Sequence, residues 1–117
     1  MDNDDVDVEL LVVADCPNEA PALVLLRAAL DDIGLPDARF RTTVIATQEE
    51  AERRGFTGSP TILVDGSDPF AAPGAVPALA CRVYRTHAGD PAGIPPLREL
   101  RQALSRAAGP PTPRSAV

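Results

Sequence analysis

Two segments of this 117-residue chain carry residue types suited to chemistry. The first is Asp15-Cys16-Pro17-Asn18-Glu19, which follows an apolar run at the point where a strand ends and a helix begins. A thiolate placed there is favoured by the helix dipole and by free backbone N–H groups. The second is Gly58-Ser59-Pro60-Thr61-Ile62-Leu63-Val64. Ser-Pro-Thr ahead of a β-branched run reads as a turn entering a strand, with Ser59–Pro60 a candidate cis bond. Together they outline a thiol site in which Cys16 is a nucleophile or a soft-metal ligand. The competing reading of Cys16 is a buried core cysteine. Its polar neighbours Asp15, Asn18 and Glu19 favour an accessible thiol.

The elements around these segments read from periodicity. Val6 to Ala14 alternates and then turns solidly apolar, as a central strand covered on both faces does. Leu23, Leu26, Leu30 and Ile33 recur at helical spacing, and Gly34 with Pro36 ends that helix. Pro21 fits its first turn if Asn18 caps, and would kink it if Cys16 caps. Arg39 to Ala46 is a second strand. Thr47 with Glu50 forms a capping box for a short helix, Gln48 to Arg54, closed by Gly55. Thr61 to Val64 is a third strand. Asp65-Gly66 suits a tight hairpin, but the Pro/Ala/Gly-rich stretch that follows reads as an inserted loop over residues 67–80. Cys81 to Arg85 is a fourth strand, and Pro96 to Ala107 a final amphipathic helix with Leu97, Leu100 and Leu104. Residues 1–5 read as a disordered acidic lead and 108–117 as a disordered tail, leaving one domain over residues 6–107. The expected class is α/β, ordered β-α-β-α-β-β-α. It has a four-stranded mixed sheet flanked by helices, its first βαβ unit parallel and its last two strands free to pair antiparallel.

Composition narrows the function classes. The net charge is −6 and all 11 basic residues are Arg, scattered along the chain, so a nucleic-acid surface is not expected. The absence of Lys beside abundant Ala, Pro and Gly points to a GC-rich coding bias. No apolar run is long enough to span a membrane, and Met1-Asp2-Asn3-Asp4-Asp5 is unlike a signal peptide. The expected setting is a reducing cytoplasm, where the two cysteines are reactive or buried rather than a structural disulfide.

A cysteine after the first strand and a proline before the third, in this order of elements, resembles the thioredoxin fold over residues 6–107. The resemblance rests on that order with Cys16-Pro17-Asn18-Glu19 and Gly58-Ser59-Pro60-Thr61. It implies a cis Ser59–Pro60 bond whose backbone lies against the Cys16 sulfur. The disulfide oxidoreductases of this fold carry Cys-x-x-Cys, whereas here Glu19 holds the fourth position. What the resemblance then implies is a monothiol route, in which a second molecule resolves a mixed disulfide.

Cys16, Glu19 and Cys81 also resemble, in order and approximate spacing, the two cysteines and acidic residue of alkylmercury lyases. Small bacterial single-domain proteins look like relatives of that group. The implied chemistry has two thiolates, Cys16 and Cys81, holding a soft metal while a carboxylic acid, Glu19, protonates the leaving carbon. Such lyases also carry an N-terminal helical region, which is not expected here.

Each candidate also has a plainer reading. Cys81 fills space at the start of a strand, and in the simple thioredoxin arrangement lies away from Cys16. Glu19 is a capping carboxylate at the third helical position, or solvated. Pro60 is a trans turn proline, and His87 a solvated loop histidine rather than a thiol activator. Asp65-Gly66 and Asp68-Pro69-Phe70 are turn chemistry with too few oxygen ligands for a hard metal. Two cysteines and one histidine do not fill a zinc shell. Gly89-Asp90-Pro91-Ala92-Gly93 lacks the spacing and lysine of a phosphate loop. No cofactor is expected. The expected partners are a thiol substrate or a soft metal ion, and a non-catalytic binding scaffold is the remaining alternative.

Overall fold

The run Val8–Val12 forms strand β1, and all five of its residues are buried. A strand with no solvent face has to lie inside a sheet under cover on both sides. A computed structural model describes residues 6–85 and 88–108, and in it β1 is the middle strand of a three-stranded mixed sheet. Strand β2 (Phe40–Val44) runs parallel to β1 with Phe40 opposite Val8. Strand β3 (Thr61–Val64) runs antiparallel with Val64 opposite Val8. Helix α1 (Glu19–Asp32) joins β1 to β2, and α2 (Gln48–Arg54) joins β2 to β3. Helix α3 (Leu97–Ala108) closes the described chain.

Alternation along β1 separates two cores. Val8, Leu10 and Val12 pack with Leu26 and Leu30 of α1 and Leu100 and Leu104 of α3. Leu11 packs on the opposite side with Ile45, Ala51 of α2, Phe56 and Leu63.

The helix starts follow local chemistry. The Asn18 carbonyl accepts the first helical bond from Ala22 N–H at 3.0 Å. Pro21 therefore sits in the first turn, where its missing N–H costs nothing. Glu19 is the first helical residue, not the third, and no side chain caps α1. In α2 the Thr47 hydroxyl accepts from Glu50 N–H at 3.1 Å, and the Glu50 carboxylate accepts from Ala46 N–H at 2.9 Å. The capping box is thus present with its return bond shifted one residue back. Gly55 ends α2 at φ +66°, a left-handed position that glycine adopts without penalty.

The expected fourth strand, Cys81–Arg85, does not join the sheet. Ser59 takes up Cys81 through a single parallel bridge. Tyr84–Arg85, strand β4, then pairs antiparallel with Pro91–Ala92, strand β5, as a separate two-stranded ribbon. Arg82 turns its side chain inward to Asp68, and the segment meets only Ser59, the residue before Pro60 at the entry to β3. The turn Asp65-Gly66 also differs from expectation. Asp65 has φ +53° and Gly66 φ +82°, and Val64 bridges Ser67 in a tight hairpin before the insertion begins. The acidic lead, the tail beyond Ala108 and His87 lie outside the described residues. No helix among the described residues is long and apolar enough to cross a membrane.

One charged side chain is buried on the α2 side of the sheet. The Glu9 side chain is 7% exposed; it accepts from the Arg54 guanidinium at 2.6 Å. The Thr43 hydroxyl donates to it at 2.6 Å, and Arg41 approaches at 3.3 Å. Burial alone would push this carboxyl up, but the Thr43 hydroxyl and the Arg54 and Arg41 guanidinium groups outweigh it. Glu9 therefore lies below the ordinary carboxylate range.

Such a group adds stability above the usual carboxylate pKa of about 4.3, and that stability drains as pH falls through its folded value. Glu9→Gln should cost about 1–3 kcal/mol at neutral pH. Its stability should also fall less steeply than wild type on the acid side. Urea unfolding between neutral pH and pH ~3 reads both effects.

Candidate functional site

The site is built where β1 ends and β3 begins. After Val12 the chain turns through Ala14 and Asp15, with Asp15 in the left-handed region at φ +59°. Cys16 follows, and its carbonyl accepts from Glu19 N–H at 3.2 Å in a turn that leads into α1. Contrary to the exposure its polar neighbours suggested, Cys16 is only 8% exposed and belongs to the main core cluster. Asp15 and Pro17 face solvent while the sulfur-bearing residue between them turns inward. Gly93 closes over this turn: a Cβ there would fall 2.4 Å from the Asn18 side-chain nitrogen.

Ser59 ties the Cys16 turn to the rest. It is fully buried, and the Ser59–Pro60 peptide bond is cis. The Ser59 hydroxyl accepts from Val13 N–H at 3.1 Å, fixing the end of β1 that leads to Cys16. Its own N–H donates to Ala80 C=O at 2.7 Å, and its C=O accepts from Arg82 N–H at 2.9 Å. These two bonds set Cys81 opposite Ser59. Cys81 is exposed rather than packed inside a strand, and both cysteines are free thiols.

Arg82 anchors this arrangement. Its guanidinium meets Asp68 at 2.6 Å, with the two side chains 8% and 10% exposed. It also donates to Phe70 C=O at 2.6 Å and to the Thr61 hydroxyl at 3.2 Å. It stands 4.6 Å from the centre of the Tyr84 ring, a cation–π distance. The Thr61 hydroxyl donates to Gly58 C=O, and the Tyr84 hydroxyl to Pro60 C=O, each at 2.6 Å. Burial pushes the Tyr84 phenol well above its ordinary range, so it remains a donor. Gly58, at φ +138°, allows the close approach: a Cβ there would lie 2.8 Å from Arg82 Cβ.

An open cleft of about 400 Å³ adjoins Cys81, lined also by Phe70, Tyr84, Arg85 and Glu99. Among the described residues no three Cys, His, Asp or Glu side chains stand together as a metal centre. Cys16, Glu19 and Cys81 therefore do not form a three-ligand centre. Glu19 is half-buried, and its side chain makes no hydrogen bond or ion pair among the described residues. Arg82, Asp68, Tyr84 and Gly58 were not singled out as site residues from the sequence. The signals were present in part: an arginine and a tyrosine alternating in an apolar segment, and a glycine directly before Ser-Pro.

Comparison with protein-family models, with curated proteins and with solved structures finds no match. The reading of the site rests on its residues.

Removing one partner of a buried ion pair leaves the other charge uncompensated. Asp68→Asn should therefore cost about 3–5 kcal/mol, whereas the paired change Asp68→Leu with Arg82→Met should recover most of that loss. Denaturant unfolding of the two variants beside wild type measures the difference.

Proposed function

We propose that this chain is a small thiol protein of thioredoxin-like architecture, with Cys16 as the reactive thiol and Cys81 as a second thiol in the same site. It handles soft metal ions or exchanges thiols with a second molecule. The strand order β2-β1-β3, with Cys16 after β1 and Ser59-Pro60 entering β3, supports the architecture. The observation that carries the two-thiol reading is the double attachment of Ser59. Its hydroxyl holds the strand end before Cys16, and its backbone holds Cys81.

Two thiolates suffice for a two-coordinate soft ion, which prefers sulfur and needs no third ligand. Each thiol gives up its proton as the ion binds, so affinity rises with pH. In thiol exchange the Cys16 thiolate attacks one sulfur of a disulfide. A new S–S bond forms, and the other sulfur leaves as a thiolate with the electron pair. The mixed disulfide is then resolved by a second thiol.

A single Hg²⁺ equivalent should be held by both sulfurs. Cys16→Ser and Cys81→Ser should each weaken binding by about a hundredfold, or ~2.7 kcal/mol, in competition titrations with a chelator. Unchanged affinity in either variant would remove the two-thiol reading.

Carbon–mercury cleavage is a second reading, favoured by the Glu19 carboxyl at the start of α1, which has no side-chain partner among the described residues. The balance is simple: the carbon takes the Glu19 proton, the C–Hg bond breaks and mercury stays on the thiolates. Wild type incubated with phenylmercury should then release benzene, and Glu19→Gln should bind Hg²⁺ equally well yet release none. Equal release by Glu19→Gln would exclude Glu19 as the acid.

A further inference from the structure

Binding an extended polypeptide at a strand end requires exposed backbone donors and acceptors. At Ser59 both are already used, by Ala80 C=O and Arg82 N–H. Resting on the thiol reading above, we infer that Ala80–Arg82 is a permanent strap over this edge. It restricts the site to small molecules and ions and shuts out polypeptide disulfides.

The strap has four fasteners besides its two backbone bonds. The Arg82–Asp68 ion pair is buried, so breaking it exposes two charges to a site that water does not reach freely. The Arg82 guanidinium also donates to Phe70 C=O, which holds the insertion against the strap. Gly58 and Arg82 are in backbone contact, with no room between them for even a Cβ. Beyond the strap, Tyr84 covers Pro60 C=O with its hydroxyl. A competing peptide would have to displace all of these to gain the two hydrogen bonds at Ser59. On the other side Gly93 presses on Asn18, and Cys16 keeps only 8% of its surface exposed. What remains open is the cleft beside Cys81, about 400 Å³, at the small end of small-molecule sites. A small disulfide or a soft ion fits that opening, whereas the Ser59 backbone has no donor or acceptor left to offer an extended chain.

The test compares two mixed disulfides with the same leaving group on the intact chain. One joins thionitrobenzoate to cysteamine; the other joins it to a central cysteine of an extended peptide of about ten residues. Attack on the non-aromatic sulfur releases coloured thionitrobenzoate and leaves cysteamine or the peptide on the protein. Mass spectrometry of proteolytic fragments separates adducts at Cys16 from those at exposed Cys81.

The expected result is cysteamine transfer to Cys16 at least about a hundredfold faster than peptide transfer, with no such gap at Cys81. Comparable rates at Cys16 would overturn the strap and leave the thiol reading standing. No adduct at Cys16 from either reagent would overturn the thiol reading, and the inference with it. Asp68→Ala, which unfastens Arg82, should narrow the gap by about tenfold or more; an unchanged gap in the folded variant would overturn the strap. Should that variant not fold, amide exchange of wild type decides. Ser59 and Arg82 N–H should exchange only with global unfolding, and rapid local exchange there would overturn the strap.

Discussion

Arg82 carries a guanidinium into a region where its side chain keeps 8% of its exposure, and Asp68 supplies the opposing charge at 2.6 Å. Neither charge is tolerable there alone, so the segments carrying them must meet. That requirement fixes where residues 80–82 run, which in turn sets Cys81 against Ser59 and closes the end of β3. The same guanidinium reaches Phe70 C=O and the Thr61 hydroxyl, drawing the insertion and the first residue of β3 to one point. Tyr84 covers the guanidinium with its ring and the Pro60 carbonyl with its hydroxyl. The Ala- and Pro-rich insertion has no regular element of its own; the ion pair holds its start, and bonds from Gln48 to Pro77 C=O and from Ala78 N–H to Phe56 C=O hold its later part.

The thiol turn depends on this hub indirectly. Ser59 is held on its backbone by residues 80–82, and its hydroxyl then orders Val13 N–H at the end of β1. Cys16 lies three residues beyond, inside the core formed by β1, α1 and α3. The sheet provides the frame: parallel β1–β2 pairing brings α1 back across one face, and antiparallel β1–β3 pairing places Ser59-Pro60 beside the end of β1.

Much of this frame was legible in the chain. The unbroken apolar run Val8–Val12 announces a central strand, Thr47 and Glu50 mark the start of α2, and Gly55 marks its end. The recurrence of Leu97, Leu100 and Leu104 gives α3 to within a residue. What was hidden depends on long-range pairing. Cys81–Arg85 has the residues of a strand, yet nothing local reveals that Arg82 has a buried partner in Asp68. Asp68-Pro69-Phe70 has the composition of a turn, and that is also what conceals the carboxylate's second task. The burial of Cys16 was equally hidden, because its polar neighbours point outward while it points in. Glu9 is a comparable case. It lies in a run that reads as covered on both faces, yet nothing local names Arg54 and Thr43 as the partners that let a carboxylate be buried there.

The central claim is that one site holds both thiols, joined through Ser59. X-ray absorption at the mercury edge of the chain loaded with one equivalent of Hg²⁺ tests it most directly. The expected spectrum has two sulfur neighbours on the metal, and one of them is lost in Cys81→Ser. A single sulfur with oxygen or nitrogen completing the shell in wild type would contradict the claim.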